Sequence, residues 1–451
     1  MKRSVVKSSI VLGILVLFVG AGIIPSTVGI IEKQTMVTNP ISRGYIQGLI
    51  DNASDGDTIY IPSGIYYENV IINKSISLVG ENKDTTIIDG RNIGDVIHIK
   101  ADWVNISGFT IQESLYGYWG QYGIKINSNH CTISDNTFLN NGEGIFIDHS
   151  SDNKIIGNTV TNSLRNGIYI SFGENNFISN NTALFNGLNG IKIGDGDKII
   201  ITGNNACYNI DNGISIFDSS LSIISNNNIS YNRHEGTGYC KAGLVLFDCI
   251  SNIVTNNYIS SNNHSGIRLG ADWDSYNNTI KNNMILNNKY GINIDNHAHC
   301  SHVYHNNIIN NEINGYCEHH QDIWYNYELK EGNYWSDYKE KYPNAKRIWF
   351  MGIWNTPYEI EGGDNQDNYP LIKQWSNTKS KDMQGVTKSF TLSKTETISN
   401  QKQDIDTNGW KSDGDLMKVN HRNKANYNLF FLRFLERFPS VFPIIQQLLG
   451  F

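Results

Sequence analysis

Residues 211–232 read DNGISIFDSSLSIISNNNISYN. Two short alternating apolar runs are separated and followed by Asn, Ser and Asp. The same sentence returns along the chain. Gly-Ile-x-Ile, or a close variant, begins at Gly123, Gly144, Gly167, Gly190, Gly213, Gly243, Gly266 and Gly291, at intervals of 21, 23, 23, 23, 30, 23 and 25 residues. A second marker runs beside it at Asn136, Asn158, Asn181, Asn205, Asn228, Asn257, Asn283 and Asn307, with intervals of 22, 23, 24, 23, 29, 26 and 24. Two markers that drift together define one repeating unit.

Each unit holds two or three strands of three to five residues, too few to bury a core alone. Stacked units bury a shared one. The leucine-rich signature is absent, and propeller blades need about 40 residues each. What remains is an all-β, right-handed parallel β-helix with one coil per repeat. In each Gly-Ile-x-Ile strand the two Ile side chains point inward and x points outward. Gly enters the bend, and Asn occupies another bend, where its amide can bond the coils above and below. In the opening stretch this assigns Ile214 and Ile216 to the core, Ser215 to the outer face and Asn228 to the ladder. Tyr45–Ala53 reads as an amphipathic helical segment covering the open end of the first coil. Strand-like runs follow at Thr58–Ile61, Val70–Ile72, Ile76–Val79, Thr86–Ile88, Val96–Ile99 and Phe109–Ile111.

These coils resemble the pectin-lyase-like superfamily of carbohydrate-binding proteins and sugar hydrolases. Within it they are most similar to the NosD-type periplasmic copper-protein family. GNYWSDY (Gly332–Tyr338) and TPYEIEGGDNQDNYPLI (Thr356–Ile372) resemble the closing segment of archaeal NosD-type β-helix proteins. The resemblance spans roughly residues 44–375. The family's Asp- and Gly-rich loop between those two motifs is replaced here by KEKYPNAKRIWFMGIWN.

The ends have a different character. Lys2, Arg3 and Lys7 precede an apolar run from Ile10 to Ile24, the layout of a secretory signal cleaved after Gly29 or of an uncleaved anchor. Either reading puts the rest outside the cytoplasm: secreted, periplasmic or on the cell surface. The β-helix domain is expected over 40–375, with its repeat core at about 96–325 and a closing segment at 326–375. A disordered linker then covers 376–426 and an amphipathic tail 427–451. The tail suits membrane-surface contact or sorting, and it resembles recurring C-terminal segments of secreted archaeal proteins. The formal net charge of −7 argues against nucleic acid as a partner. Six cysteines outside the cytoplasm are compatible with disulfides. A Cys207–Cys240 bond would pin the insertion Asn232–Lys241, which accounts for the 30-residue interval.

Three groups of residues are candidates for function. The first is the outer face of the Gly-Ile-x-Ile sheet, where x runs Lys125, Phe146, Tyr169, Lys192, Ser215, Val245, Arg268 and Asn293. Acidic residues end those strands: Asp148, Asp195, Asp218, Asp248, Asp272 and Asp295. Such an edge can bind polysaccharide or calcium. Asp195 and Asp218 are 23 residues apart, hence neighbours on successive coils. With Arg268 they are the candidates for glycoside cleavage. The second group is aromatic: Tyr116, Tyr118, Trp119 and Tyr122 in the loop ESLYGYWGQYG, with Tyr169, suit stacking on a sugar. The third is His297, His299 and Cys300, with His319 one coil later, a donor set for copper or zinc. Aligning Gly291 with Gly315 sets Asp295 beside His319. The expected function is therefore a secreted or surface β-helix that binds a polysaccharide or cell-envelope glycan. A copper-handling accessory protein and a polysaccharide-cleaving enzyme are the alternatives.

Overall fold

A run of three or four residues that alternates buried and outward side chains suits a strand packed on one face only. The chain repeats such runs three times per coil. In the computed structural model, which describes residues 44–114, 121–234, 241–318 and 321–376, they stack into three parallel sheets of 11, 12 and 11 strands. Each strand pairs with its equivalent one coil away, so sequence neighbours lie in different sheets. The result is an all-β right-handed solenoid of about 11 turns, with about 4.8 Å between coils.

The inward column of Ile124, Ile145, Ile168, Ile191, Ile214, Leu244, Ile267 and Ile292 is fully buried, and it pairs in register down the third sheet. The expected strands at Thr58–Ile61 and Val70–Ile72 match residue for residue, whereas Ile76–Val79 and Phe109–Ile111 each lie one residue further on, at Ser77–Gly80 and Thr110–Gln112. Repeat markers fix spacing well, but bends fix phase, and phase is what slipped.

The asparagine ladder shows the same slip. Its rungs are Asn136, Asn158, Asn181, Asn204, Asn227, Asn257, Asn283, Asn306 and Asn333, each backbone N–H donating to the next side-chain Oδ1 at 2.9–3.0 Å. Asn204, Asn227 and Asn306 therefore hold the places that spacing gave to Asn205, Asn228 and Asn307. Consecutive asparagines make the sequence degenerate at these points. Asn228 instead opens the strand Asn228–Ser230 and bonds Asn205.

Both ends of the stack are closed. Helix α1 (Tyr45–Asn52) buries Ile46 and Ile50 on the first coil. The carboxylate of Glu68 accepts from the N–H groups of Ile46 and Gln47 at its N-terminus. Lys74 Nζ donates to the carbonyls of Ile50, Asp51 and Ala53 at its other end. Charge of each sign thus meets the matching pole of the helix. At the far end the two closing motifs pack on each other. Trp335 stacks on Tyr358 with centroids 4.0 Å apart, and Tyr338 stacks on Trp354 at 5.0 Å. Asp367 is fully buried and accepts from Asn333 N–H (2.7 Å), Trp335 Nε1–H (2.9 Å) and Tyr369 N–H (2.9 Å). The last coil's Cys317 N–H donates to Glu361 carbonyl oxygen. The expected leader at 1–29 and the tail at 427–451 lie outside the described residues, as does all of the linker but Ser376. Among the described residues no helix is long and apolar enough to cross a membrane.

Candidate functional site

Outward positions of the third sheet form straight columns, because every coil repeats the same register. The first column reads His98, Lys125, Phe146, Tyr169, Lys192, Ser215, Val245, Arg268, Asn293, Tyr316. The x positions thus align as the repeat implied. Phe146, Ser215, Val245 and Asn293 lie on that outer face yet are buried.

An aromatic strip runs along the upper part of this face. Tyr122 stacks on Phe146 with centroids 4.4 Å apart, and Phe146 meets Tyr169 at 5.1 Å, tilted by 36°. Lys125 Nζ lies 5.8 Å from the Tyr122 ring and 5.9 Å from Phe146, and ion-pairs with Asp148 at 3.5 Å. Lys192 Nζ sits 5.0 Å from the Tyr169 ring and 5.6 Å from Phe217. Ammonium groups over aromatic faces gain from the ring quadrupole. Burial still lowers the pKa of Lys192.

Glu143 borders the strip, in register with Tyr122. It is 3% exposed. Its Oε1 ion-pairs with Arg165 Nε at 3.2 Å and accepts from Asn166 Nδ2 at 3.4 Å. Burial pushes its carboxyl up to about 7, against the pull of Arg165, Lys192 and Asn166. Behind Asn166 stand Asn189 and Asn212, the same position on the next two coils. Asn212 Nδ2 donates to Asn189 Oδ1, and Asn189 Nδ2 donates to Asn166 Oδ1, both at 2.9 Å. Ala242 N–H starts this chain by donating to Asn212 Oδ1 at 2.9 Å. Every donor in it points toward Glu143.

Sequence reasoning selected Tyr122 and Tyr169 and missed Glu143, Arg165 and the strap of Asn166, Asn189 and Asn212. A signal existed: the residue before the repeat Gly is Asn on three successive coils, at 166, 189 and 212, but Glu at 143 on the coil before them. Tyr116, Tyr118 and Trp119 lie outside the described residues.

The acidic strand ends split into separate columns. Asp195, Asp218 and Asp248 do stack, each with a left-handed backbone (φ 54, 48 and 52°) and each N–H donating to the next coil. Desolvation, then repulsion from Asp195 and Asp248, raises the pKa of Asp218. The two positions before Asp195 in this column are His149 and Phe172, whose rings stack at 4.6 Å. Asp148 belongs instead beside Ser171, and Asp295 beside Gly270, because each lies one residue earlier relative to its bend. Arg268 forks onto Asp295 Oδ2 through Nε (3.0 Å) and an Nη (2.7 Å). It is thus engaged by Asp295, apart from the Asp195–Asp218 column.

The donor set suggested for metal is dispersed. His297 Nδ1 faces Ala271 carbonyl oxygen at 3.2 Å, His299 faces Asp274 at 3.6 Å, and Cys300 faces Gln321. Gly315 pairs with Ile292, one residue off the alignment with Gly291, so Glu318 stands beside Asp295. His319 lies outside the described residues. Among the described residues no group of three or more His, Cys, Asp or Glu is placed to hold a metal, and the donors there do not fit a copper ion. Cys207 is a free thiol whose Sγ lies 3.0 Å from Asn205 Oδ1, and Cys240 lies outside the described residues.

Residues 50–238 match the periplasmic copper-binding protein (NosD) family, and residues 173–327 match the right-handed β-helix region. No curated protein matches the chain. Similar solved structures include the A-module of mannuronan C-5 epimerase AlgE4 from Azotobacter vinelandii (17% identity, 61% of this chain and 94% of that one, TM-score 0.45). An alginate lyase from Paenibacillus sp. str. FPU-7 has 14% identity over 65% of this chain and 96% of that one, with TM-score 0.43. The lidless DFA-IIIase of Arthrobacter chlorophenolicus A6 has 14% identity over 55% and 83%, with TM-score 0.44. Together the two matches run from residue 50 to residue 327: this part of the chain is a right-handed β-helix, similar to the NosD family over residues 50–238.

Proposed function

We propose that the protein binds a glycan along the outer face of the third sheet, outside the cytoplasm. One observation carries this reading: the strip Tyr122–Phe146–Tyr169, bordered on one side by Glu143 and the Asn166–Asn189–Asn212 strap and on the other by Asn127 and Asp148. A sugar ring presents apolar C–H patches rimmed by hydroxyls. An apolar strip between two polar borders is the complementary surface. The signal-like N-terminus and the match to a periplasmic family support a polysaccharide or envelope glycan as the partner.

A glycan array followed by calorimetry on the purified protein tests the reading. Binding is expected without release of reducing sugar. Tyr169→Ala is expected to weaken it about tenfold, given the ~0.5–1.5 kcal/mol of an aromatic contact plus the lost burial. Absence of any glycan binding, or binding that Tyr169→Ala leaves intact, rejects it.

A further inference from the structure

The Arg165 ion pair and the Asn166 hydrogen bond that reach the Glu143 carboxyl both end on Oε1. Oε2 is buried and has no hydrogen-bond partner among the protein's own groups. A buried acceptor left unpaired is destabilising. At the end of the strip, one coil beyond Tyr169, Lys192 Nζ is held over the rings of Tyr169 and Phe217 and makes no hydrogen bond or ion pair with a described residue. Its ammonium and the Glu143 carboxyl feel each other's charge. One buried, unpartnered acceptor and one ammonium without a protein hydrogen-bond partner thus flank the same aromatic strip.

We propose that Glu143 and Lys192 form a subsite for an uncharged sugar unit. Glu143 Oε2 accepts a hydrogen bond from one hydroxyl, and Lys192 Nζ donates to a neighbouring oxygen. This rests on the glycan reading above and narrows it. Charge bookkeeping selects a neutral ligand over a polyanion. Lys125 is matched by Asp148 and Arg165 by Glu143, while Asp211 lies within the field of both Lys192 and Lys241. One positive charge remains over among these groups, too little for a chain of carboxylates or sulfates. The amide strap adds direction. Four donors in series, from Ala242 N–H through Asn212, Asn189 and Asn166, all point at the Glu143 carboxyl. Aligned hydrogen bonds polarise one another and favour the anion at their end. The other groups facing Glu143 are Tyr122, Arg165 and Lys192.

The ionised carboxylate is the stronger acceptor. Burial holds Glu143 protonated up to about pH 7. Affinity is therefore expected to rise as pH goes from about 6 to about 8.

The test is calorimetry on the full-length protein with neutral and uronic-acid oligosaccharides at pH 6, 7 and 8. It compares wild type, Glu143→Gln, Lys192→Met and Tyr169→Ala, with circular dichroism to check folding. Lys192→Met keeps most of the aliphatic stem and guards against a folding defect in Glu143→Gln. The expected result is binding of neutral oligosaccharide, weakened about tenfold or more in Glu143→Gln and in Lys192→Met. The pH dependence is expected to vanish in Glu143→Gln. Glycan binding that depends on Tyr169 yet is unchanged in folded Glu143→Gln and Lys192→Met overturns the subsite and leaves the glycan reading standing. A preference for uronic-acid chains overturns the subsite in the same way. Absence of binding to any oligosaccharide overturns both.

Discussion

Asn204 shows what one residue does in this fold. Its Nδ2 donates to the carbonyls of Ile178 and Thr202 and to Asn227 Oδ1, while its Oδ1 accepts from both the N–H and the Nδ2 of Asn181. It is 1% exposed. Truncation leaves the buried N–H of Asn181, on the neighbouring coil, without its partner. Asn204→Ala is expected to cost ~2–4 kcal/mol in urea unfolding. Asn205→Ala, half-buried beside it, is expected to cost under about 1 kcal/mol. Equal costs would refute the ladder assignment. The pair also marks how far the letters themselves could be read. The run Thr202–Ala206, TGNNA, carries the period but not the phase. Backbone conformation at the bend decides which asparagine turns inward, as Gly203 does here with φ 69°. Glu143 was hidden for a related reason. Its column becomes visible only once the strap of Asn166, Asn189 and Asn212 is seen to end on it.

The closing segment is the element that shares least with the repeat, yet its two motifs were legible because they break the pattern. What the sequence did not reveal is how they are joined. Asp367 does this, with three N–H donors converging on one buried carboxylate that also leaves no room for a side chain at Gly332. Burial pushes the Asp367 carboxyl up to about 7, against those three hydrogen bonds. In the unfolded chain the group titrates near ~3.9. Between these values the folded state keeps a proton that the unfolded state has released, so this contribution to stability is present below about pH 4 and is lost as pH rises to about 7. The melting temperature of wild type relative to Asp367→Asn is therefore expected to fall between pH 4 and pH 7 and then level off. A flat difference across that range would exclude the proton. Asp367→Asn itself turns an amide toward at least one N–H donor, a loss of about 1–3 kcal/mol.

At the scale of the whole molecule, coils touch only their neighbours, and stability is close to a sum over coils and their interfaces. Phe177 pairs with Ile200, Thr182 with Asn205 and Ile191 with Ile214, so residues 177–199 form one complete turn. Excising them joins Asn176 to Ile200 in the same phase. The shortened protein is expected to fold cooperatively, with a melting temperature lower by several degrees. It is also expected to lose glycan binding, because Lys192 and Asn189 leave with the coil. Failure to fold would show that some coil is unique to the scaffold. The same modularity explains why architecture was legible from spacing alone while the site was not. Every coil states the scaffold, whereas the candidate site depends on a few letters, at residues 122, 143, 165 and 192, that depart from it.

A fold that grows by adding its own unit at an open edge is a polymer in the chemist's sense, and nothing in the repeat says when to stop. Helix α1 and the Trp335–Tyr358 plug are the chain terminators. The helix covers the first coil, with the Gln47 side chain bonding the N–H and carbonyl of Ile71, and the closing segment bonds the last coil, where a further coil, from this molecule or from another, would otherwise add. The few residues that least resemble the repeat thus decide whether the sequence makes a molecule of fixed length or a fibre.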